Sequence, residues 1–85
     1  MTQIITSPAQ IGLLLQSARK LRGLSQSELA TRLGVSQSRM SKIEQDPATM
    51  SVEQLLRLCG QLGLEFSIAE KAQTVGSAGA ASSEW

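Results

Sequence analysis

Ser25-Gln26-Ser27-Glu28-Leu29-Ala30-Thr31-Arg32-Leu33-Gly34-Val35-Ser36-Gln37-Ser38-Arg39-Met40-Ser41-Lys42-Ile43-Glu44 reads as two short helices joined by a tight turn. Ser25 and, three positions on, Glu28 form a capping box, in which each side chain satisfies an amide that the helix start leaves free. Leu29, Ala30 and Leu33 then fall on one helical face, and Gly34 ends the helix because it can take a left-handed conformation. Ser36 caps a second helix from Gln37 to about Glu44, with Met40 and Ile43 pointing inward. Ala30 is small where the two helices must approach, while Val35 and Ile43 fill the angle between them. Two helices meeting over a glycine-containing turn, the second polar and basic outside, fit a helix-turn-helix. Its second helix can enter a DNA major groove about 12 Å wide.

The outer face of that helix carries groups suited to the groove. Gln37 can pair with adenine N6 and N7, a contact that gives about 1–3 kcal/mol of base discrimination. Ser36, Ser38 and Ser41 are short enough to let the helix sit deep, and their hydroxyls can reach bases or phosphates. Arg39 can reach a guanine or the backbone, and Lys42 is placed for phosphate. Gln26, at the start of the preceding helix, can join the free helix-terminal amides on a phosphate. For Ser38, Arg39 and Lys42 taken singly, a merely solvated polar face explains the residues as well as a DNA contact does. Glu28 and Arg32 read as ordinary surface charges, and Glu44 as structural.

Working outward, the flanking helices are as clearly marked. Ser7-Pro8-Ala9-Gln10 combines a cap, a proline at the first helical position and a glutamine three residues after the cap. Ile11, Leu14, Leu15, Ala18 and Leu21/Arg22 follow helical spacing until Gly23. After the break at Asp46-Pro47, Ser51-Val52-Glu53-Gln54 is another capping box. Val52, Leu55, Leu56, Cys59 and Leu62 give the inner stripe of the last helix, which Gly63 closes. Leu58 lies off that stripe and would need cover. Leu64-Glu65-Phe66-Ser67-Ile68-Ala69 alternates as a strand does, and a single strand needs a partner, either Ile4-Ile5 or its copy in a second subunit. Leu58, Leu64, Phe66 and Ile68 are therefore the expected dimer residues. The tail is Ala-, Ser- and Gly-rich by composition and ends in Glu84-Trp85, with the sole tryptophan of the chain.

The expected organisation is an N-terminal arm (1–6), a helix-turn-helix domain (7–63), a dimerisation strand (64–70) and a flexible tail (71–85). The fold class is all-α, a bundle of four to five helices whose short C-terminal strand forms an intersubunit sheet in a dimer. With 85 residues the chain is marginal alone, since a domain this small buries only roughly 60% of its unfolded surface. The net charge of +1 hides an uneven split. Residues 1–44 carry six bases and two acids, residues 45–85 two bases and five acids, so a basic half suited to a polyanion joins an acidic half.

Composition argues against an enzyme. The chain has no His and no Tyr, and its one Cys, Cys59, lies in an apolar helical pattern with no base to activate it. No catalytic residue, metal ligand set or cofactor is expected. One cysteine, no apolar run of membrane length and no charged leader make the cytoplasm the expected location, on the nucleoid when DNA is bound, with no membrane partner.

From about Leu21 to Gly63 the chain resembles the Cro/C1-type (XRE) helix-turn-helix family, through Leu-Ser-Gln-Ser-Glu-Leu-Ala, Leu-Gly-Val-Ser-Gln and Met-Ser-Lys-Ile-Glu. That resemblance implies dimeric binding to palindromic operators. Ile5-Thr6-Ser7-Pro8, the strand, the short tail and Glu84-Trp85 together look like the HipB antitoxins. This second resemblance implies an intersubunit sheet, repression of the protein's own operon and binding of a HipA-like Ser/Thr kinase toxin. It makes Ser36, Gln37, Ser38 and Ser41 operator contacts, Leu64–Ala69 the dimer strand and Trp85 the anchor that docks on the toxin. The family's usual glycine after the third helix is replaced here by Gln45-Asp46-Pro47. A stand-alone dimeric regulator without a toxin explains the helix-turn-helix equally well but leaves Trp85 idle. An interaction module that no longer binds DNA is a further alternative.

Overall fold

The computed structural model describes residues 2–71. They form α1 (Pro8–Leu21), α2 (Gln26–Leu33), α3 (Gln37–Gln45), a single 3₁₀ turn (Pro47–Thr49) and α4 (Val52–Leu62). The start of each helix follows from a serine. Ser25, Ser36 and Ser51 accept from the backbone amides of Glu28, Arg39 and Gln54, each at 3.0 Å. Glu28 and Gln54 return the bond to the amides of Ser25 and Ser51. The bonds from Ser25 hold the Glu28 carboxyl below its usual range, with a smaller contribution from Arg32. At α1, Gln10 Oε1 accepts from Ser7 N at 2.9 Å.

The ends of α2 and α4 follow from glycines that precede an apolar residue. At α2, Gly34 takes φ +81° and the amide of Val35 donates to the Ala30 carbonyl at 3.0 Å. At α4, Leu64 donates to the Cys59 carbonyl at 2.8 Å in the same way. These are Schellman closures, which turn the chain and lay the next side chain on the core. Val35 and Leu64 both pack there.

Leu15, Leu29, Ala30, Leu33, Met40, Ile43, Leu58 and Leu62 form the core. α3 packs on α1 and α2, and α4 packs on the same two helices. Arg57 of α4 adds a polar tie, its Nη2 donating to the Leu33 carbonyl at the end of α2 at 3.0 Å. Cys59 is buried, and that burial pushes its thiol up, away from the reactive thiolate.

α4 corrects the sequence reading. Leu58 is completely buried, so it is a core residue of its own subunit with no surface to give a partner. The exposed apolar residues of α4 are instead Val52, at 70%, and Leu56, at 49%. Residues 52, 55, 56 and 59 make one helical stripe and 55, 58, 59 and 62 another. The sequence could not say which of the two met α2. Leu21, at the end of the helically spaced series, is exposed, while Gly12 and Arg19 complete the buried face of α1.

No strand forms among the described residues, and Ile4-Ile5 does not pair with residues 64–69. Leu64 packs on its own core, whereas Phe66 and Ile68 stay exposed. The tail beyond Lys71, including Trp85, lies outside the described residues. No helix among the described residues is long and apolar enough to cross a membrane.

Candidate nucleic-acid interface

The site is the solvent side of α3, and it is built by clamping both shoulders of that helix. With Met40 and Ile43 buried, Gln37, Ser38, Ser41, Lys42 and Gln45 occupy the opposite side. Gln37, Ser38, Lys42 and Gln45 are exposed and Ser41 is half-buried. Ser36 caps the helix with its hydroxyl, so its role in holding the helix start is filled from within the chain.

On one shoulder, Glu44 meets Arg19 of α1. Arg19 Nε donates to Glu44 Oε2 at 2.8 Å and Nη2 to Oε1 at 3.2 Å, while Nη1 donates to the Leu24 carbonyl at 2.9 Å. Both side chains are more than nine-tenths buried. Glu44 is structural, as its sequence context suggests. Arg19, counted from sequence among the charges of a basic surface, is not available to a ligand.

Gln26 sits between this ion pair and the outer face. Its Nε2 donates to Glu44 Oε1 at 3.0 Å, and its Oε1 receives a long bond from Gln37 Nε2 at 3.5 Å. The relay Arg19–Glu44–Gln26–Gln37 thus runs from the core to the tip of α3. Its last link is long and solvent-exposed, and uses the Gln37 amide nitrogen rather than the oxygen. Gln26 is therefore a bridge whose side-chain atoms already have partners, while its position at the start of α2 still presents helix-terminal amides to an anion.

On the other shoulder, Arg39 departs from its expected place. It is half-buried, and its guanidinium bonds Thr49 and Gln54 instead of projecting from the outer face. Lys42 projects freely, with Asp46 at 3.9 Å in an exposed pair of little energetic weight. Of the six bases in the N-terminal half, Arg22 and Arg32 border a shallow cleft of about 470 Å³ with Leu21, Leu24 and Gln61, to which α3 contributes nothing.

The sequence reading missed four contributors. Gln45 shares the exposed side of α3 but lay just beyond the expected end of that helix. Gly12 lets α1 approach α3: a Cβ there would run into the Glu44 carbonyl oxygen and come within 2.8 Å of Pro47 Cγ. Thr49 and Gln54 hold Arg39 from residues 10 and 15 positions away. No local signal announces such contacts. Among the described residues no group of three His, Cys, Asp or Glu side chains could hold a metal ion.

A Schellman-turned pair of helices with a polar second helix, clamped at both shoulders, defines a helix-turn-helix protein of the DNA-binding kind. The helix-turn-helix family model matches residues 15–68, and the chain belongs to that family. Within it, the chain is 29% identical over 68 residues to Antitoxin HipB of Escherichia coli O6:H1, covering 80% of this chain and 72% of the relative. The corresponding antitoxin of Escherichia coli K12 is 28% identical, with 80% and 77% covered. Among solved structures, a chain of a HipB–O1–O2 complex superposes with a TM-score of 0.72 at 28% identity, over 81% of this chain and all of that one. A chain of a HipA–HipB–O2–O3 complex gives 0.75 at 27% identity, over 84% of this chain and all of the other.

Proposed function

We propose that this chain is a HipB-like antitoxin that binds a palindromic operator as a dimer, represses its own operon, and binds a HipA-like Ser/Thr kinase toxin. The observation that carries the DNA-binding part is the outer face of α3. Gln37, Ser38, Ser41 and Lys42 stand together on a helix whose two shoulders are tied back into the domain. Preorganisation of this kind lets side chains meet bases without first losing their freedom at the interface. The relatives named as HipB antitoxins, and the neighbours solved as HipB–O1–O2 and HipA–HipB–O2–O3 complexes, support both partners.

Gln37 reads a base, Ser38 and Ser41 line the groove, Ser36 and Gln26 support the helix starts near phosphate, and Lys42 neutralises a phosphate. The second subunit covers the exposed Val52 and Leu56 of α4, together with Phe66 and Ile68, which are also exposed in the segment after it. Pairing of residues 64–69 with the same segment of the partner would satisfy their backbone. Trp85 anchors the tail on the toxin, since one aromatic can fill one pocket and dominate a contact.

The test uses the intact chain and Trp85→Ala, assayed for binding to the chain's own promoter and for capture of the product of the adjacent gene. Promoter binding by both, with partner capture only by the intact chain, supports two separable functions. Promoter binding with no partner captured by either form leaves a stand-alone repressor. On the DNA side, Gln37→Ala is expected to lose affinity at particular base positions. Lys42→Ala should weaken binding to every sequence and lower the salt slope by about one unit.

A further inference from the structure

Arg39 belongs to the reading helix, yet its guanidinium is turned toward the start of α4. Nη1 donates to Thr49 Oγ1 at 3.2 Å, and Nη2 donates to the Thr49 carbonyl at 2.8 Å and to Gln54 Oε1 at 3.1 Å. Both acceptor residues are fixed in turn. The Thr49 hydroxyl donates to the Asp46 carbonyl at 2.8 Å, and Gln54 Oε1 also accepts from Ser51 N at 3.3 Å in the capping box of α4. One planar fork therefore joins the reading helix, the turn after it and the first turn of α4. α3 and α4 otherwise pack chiefly on α1 and α2, with little direct contact between them. The first residue of α4 is Val52, and Leu56 follows one turn later on the same exposed face.

We infer that Arg39 is a positioning residue for operator recognition, fixing the reading helix relative to the dimer helix and so the half-site spacing that the dimer accepts. This inference rests on the DNA-binding dimer proposed above. Two reading helices must enter successive major grooves about 34–36 Å apart, so any freedom between α3 and α4 becomes tolerance of spacing. A guanidinium offers donors in fixed directions, whereas a lysine offers the same charge on a flexible stem. A phosphate contact would depend on the charge; a positioning role depends on the fork.

The experiment takes the full chain, Arg39→Lys and Arg39→Gln, with helicity checked by circular dichroism. Binding is measured on the chain's own operator, and on versions with the half-sites moved one base pair closer or farther, over a range of salt. Both variants should lose about three- to tenfold of the preference for native spacing, as expected for a coupled polar contact. The salt slope of Arg39→Gln should match that of the unaltered chain. Gln54→Ala, which keeps the arginine, should relax the same preference and supplies the reading if an Arg39 variant misfolds. A slope reduced by about one unit in Arg39→Gln and restored in Arg39→Lys would overturn the inference in favour of a phosphate contact. Unchanged spacing preference in all three variants would overturn it as well. Absence of specific binding by the unaltered chain would instead remove the functional reading on which the inference stands.

Discussion

Two residues of α1 show how single positions govern the reading helix from behind. Gly12 faces the Glu44 carbonyl, so a methyl group there can be accommodated only by moving backbone. Gly12→Ala is expected to destabilise the domain by about 1–3 kcal/mol, the usual cost of overpacking, despite alanine's better helix propensity. Urea denaturation checks it, and a stabilised variant would mean that α1 and α3 can part freely. Arg19 and Glu44 are a buried, two-bond ion pair, and breaking such a pair by removing one partner costs about 3–5 kcal/mol because the other charge is stranded. Glu44→Ala should show that loss in the same assay, and should also free Gln26 and with it Gln37. Glutamine at position 44 can keep some of the bonds, so Glu44→Gln should be milder. Neither feature was legible beforehand. Glu44 could be recognised as structural, but its partner lies 25 residues away, and a glycine inside an amphipathic pattern gives no sign of what crosses it.

At the scale of elements, local chemistry was informative and long-range choice was not. Serine caps, the return bonds of Glu28, Gln54 and Gln10, and the closing glycines determine where helices begin and end through contacts within a few residues. That is why the helix-turn-helix and its exposed face could be read directly, with α3 running one residue further, to Gln45. α4 failed for the opposite reason. It is apolar on two adjoining stripes, and the domain buries Leu58 and Leu62 while leaving Val52 and Leu56 outside. The two stripes predict opposite behaviour. Leu58→Ala should lower the stability of the domain by about 2–5 kcal/mol, as for a buried leucine. Leu56→Ser should change single-subunit stability by much less, because that side chain is half in water already. Thermal melts at low concentration, where the subunits are apart, compare them; equal losses would contradict the burial of Leu58 within its own subunit.

On the function proposed above, the whole molecule has to bind DNA and a second subunit with one small core. The outer side of α3 is polar, while Val52, Leu56, Phe66 and Ile68 are exposed apolar residues of the C-terminal half. A domain of this size gains stability by covering such surface, and a protein that reads a palindrome gains affinity from the same act. Coupling the two makes the second half-site contact intramolecular, which raises overall affinity by about 10²–10⁴-fold over one half-site without any new contact to DNA. Leu56→Glu places a charge on the exposed side of α4 and should shift the chain toward monomer in sedimentation equilibrium. Its affinity for the full operator should fall toward that of a single half-site, while half-site binding itself stays near that of the unaltered chain, because α3 and its clamps are untouched. The variant's melting temperature should also lose its dependence on protein concentration, as linkage to dimerisation requires. If Leu56→Glu remains a dimer of full operator affinity, the second subunit does not sit on α4, and among the described residues Leu13 and Leu21 of α1 are the other large exposed apolar residues on a helix that could receive it.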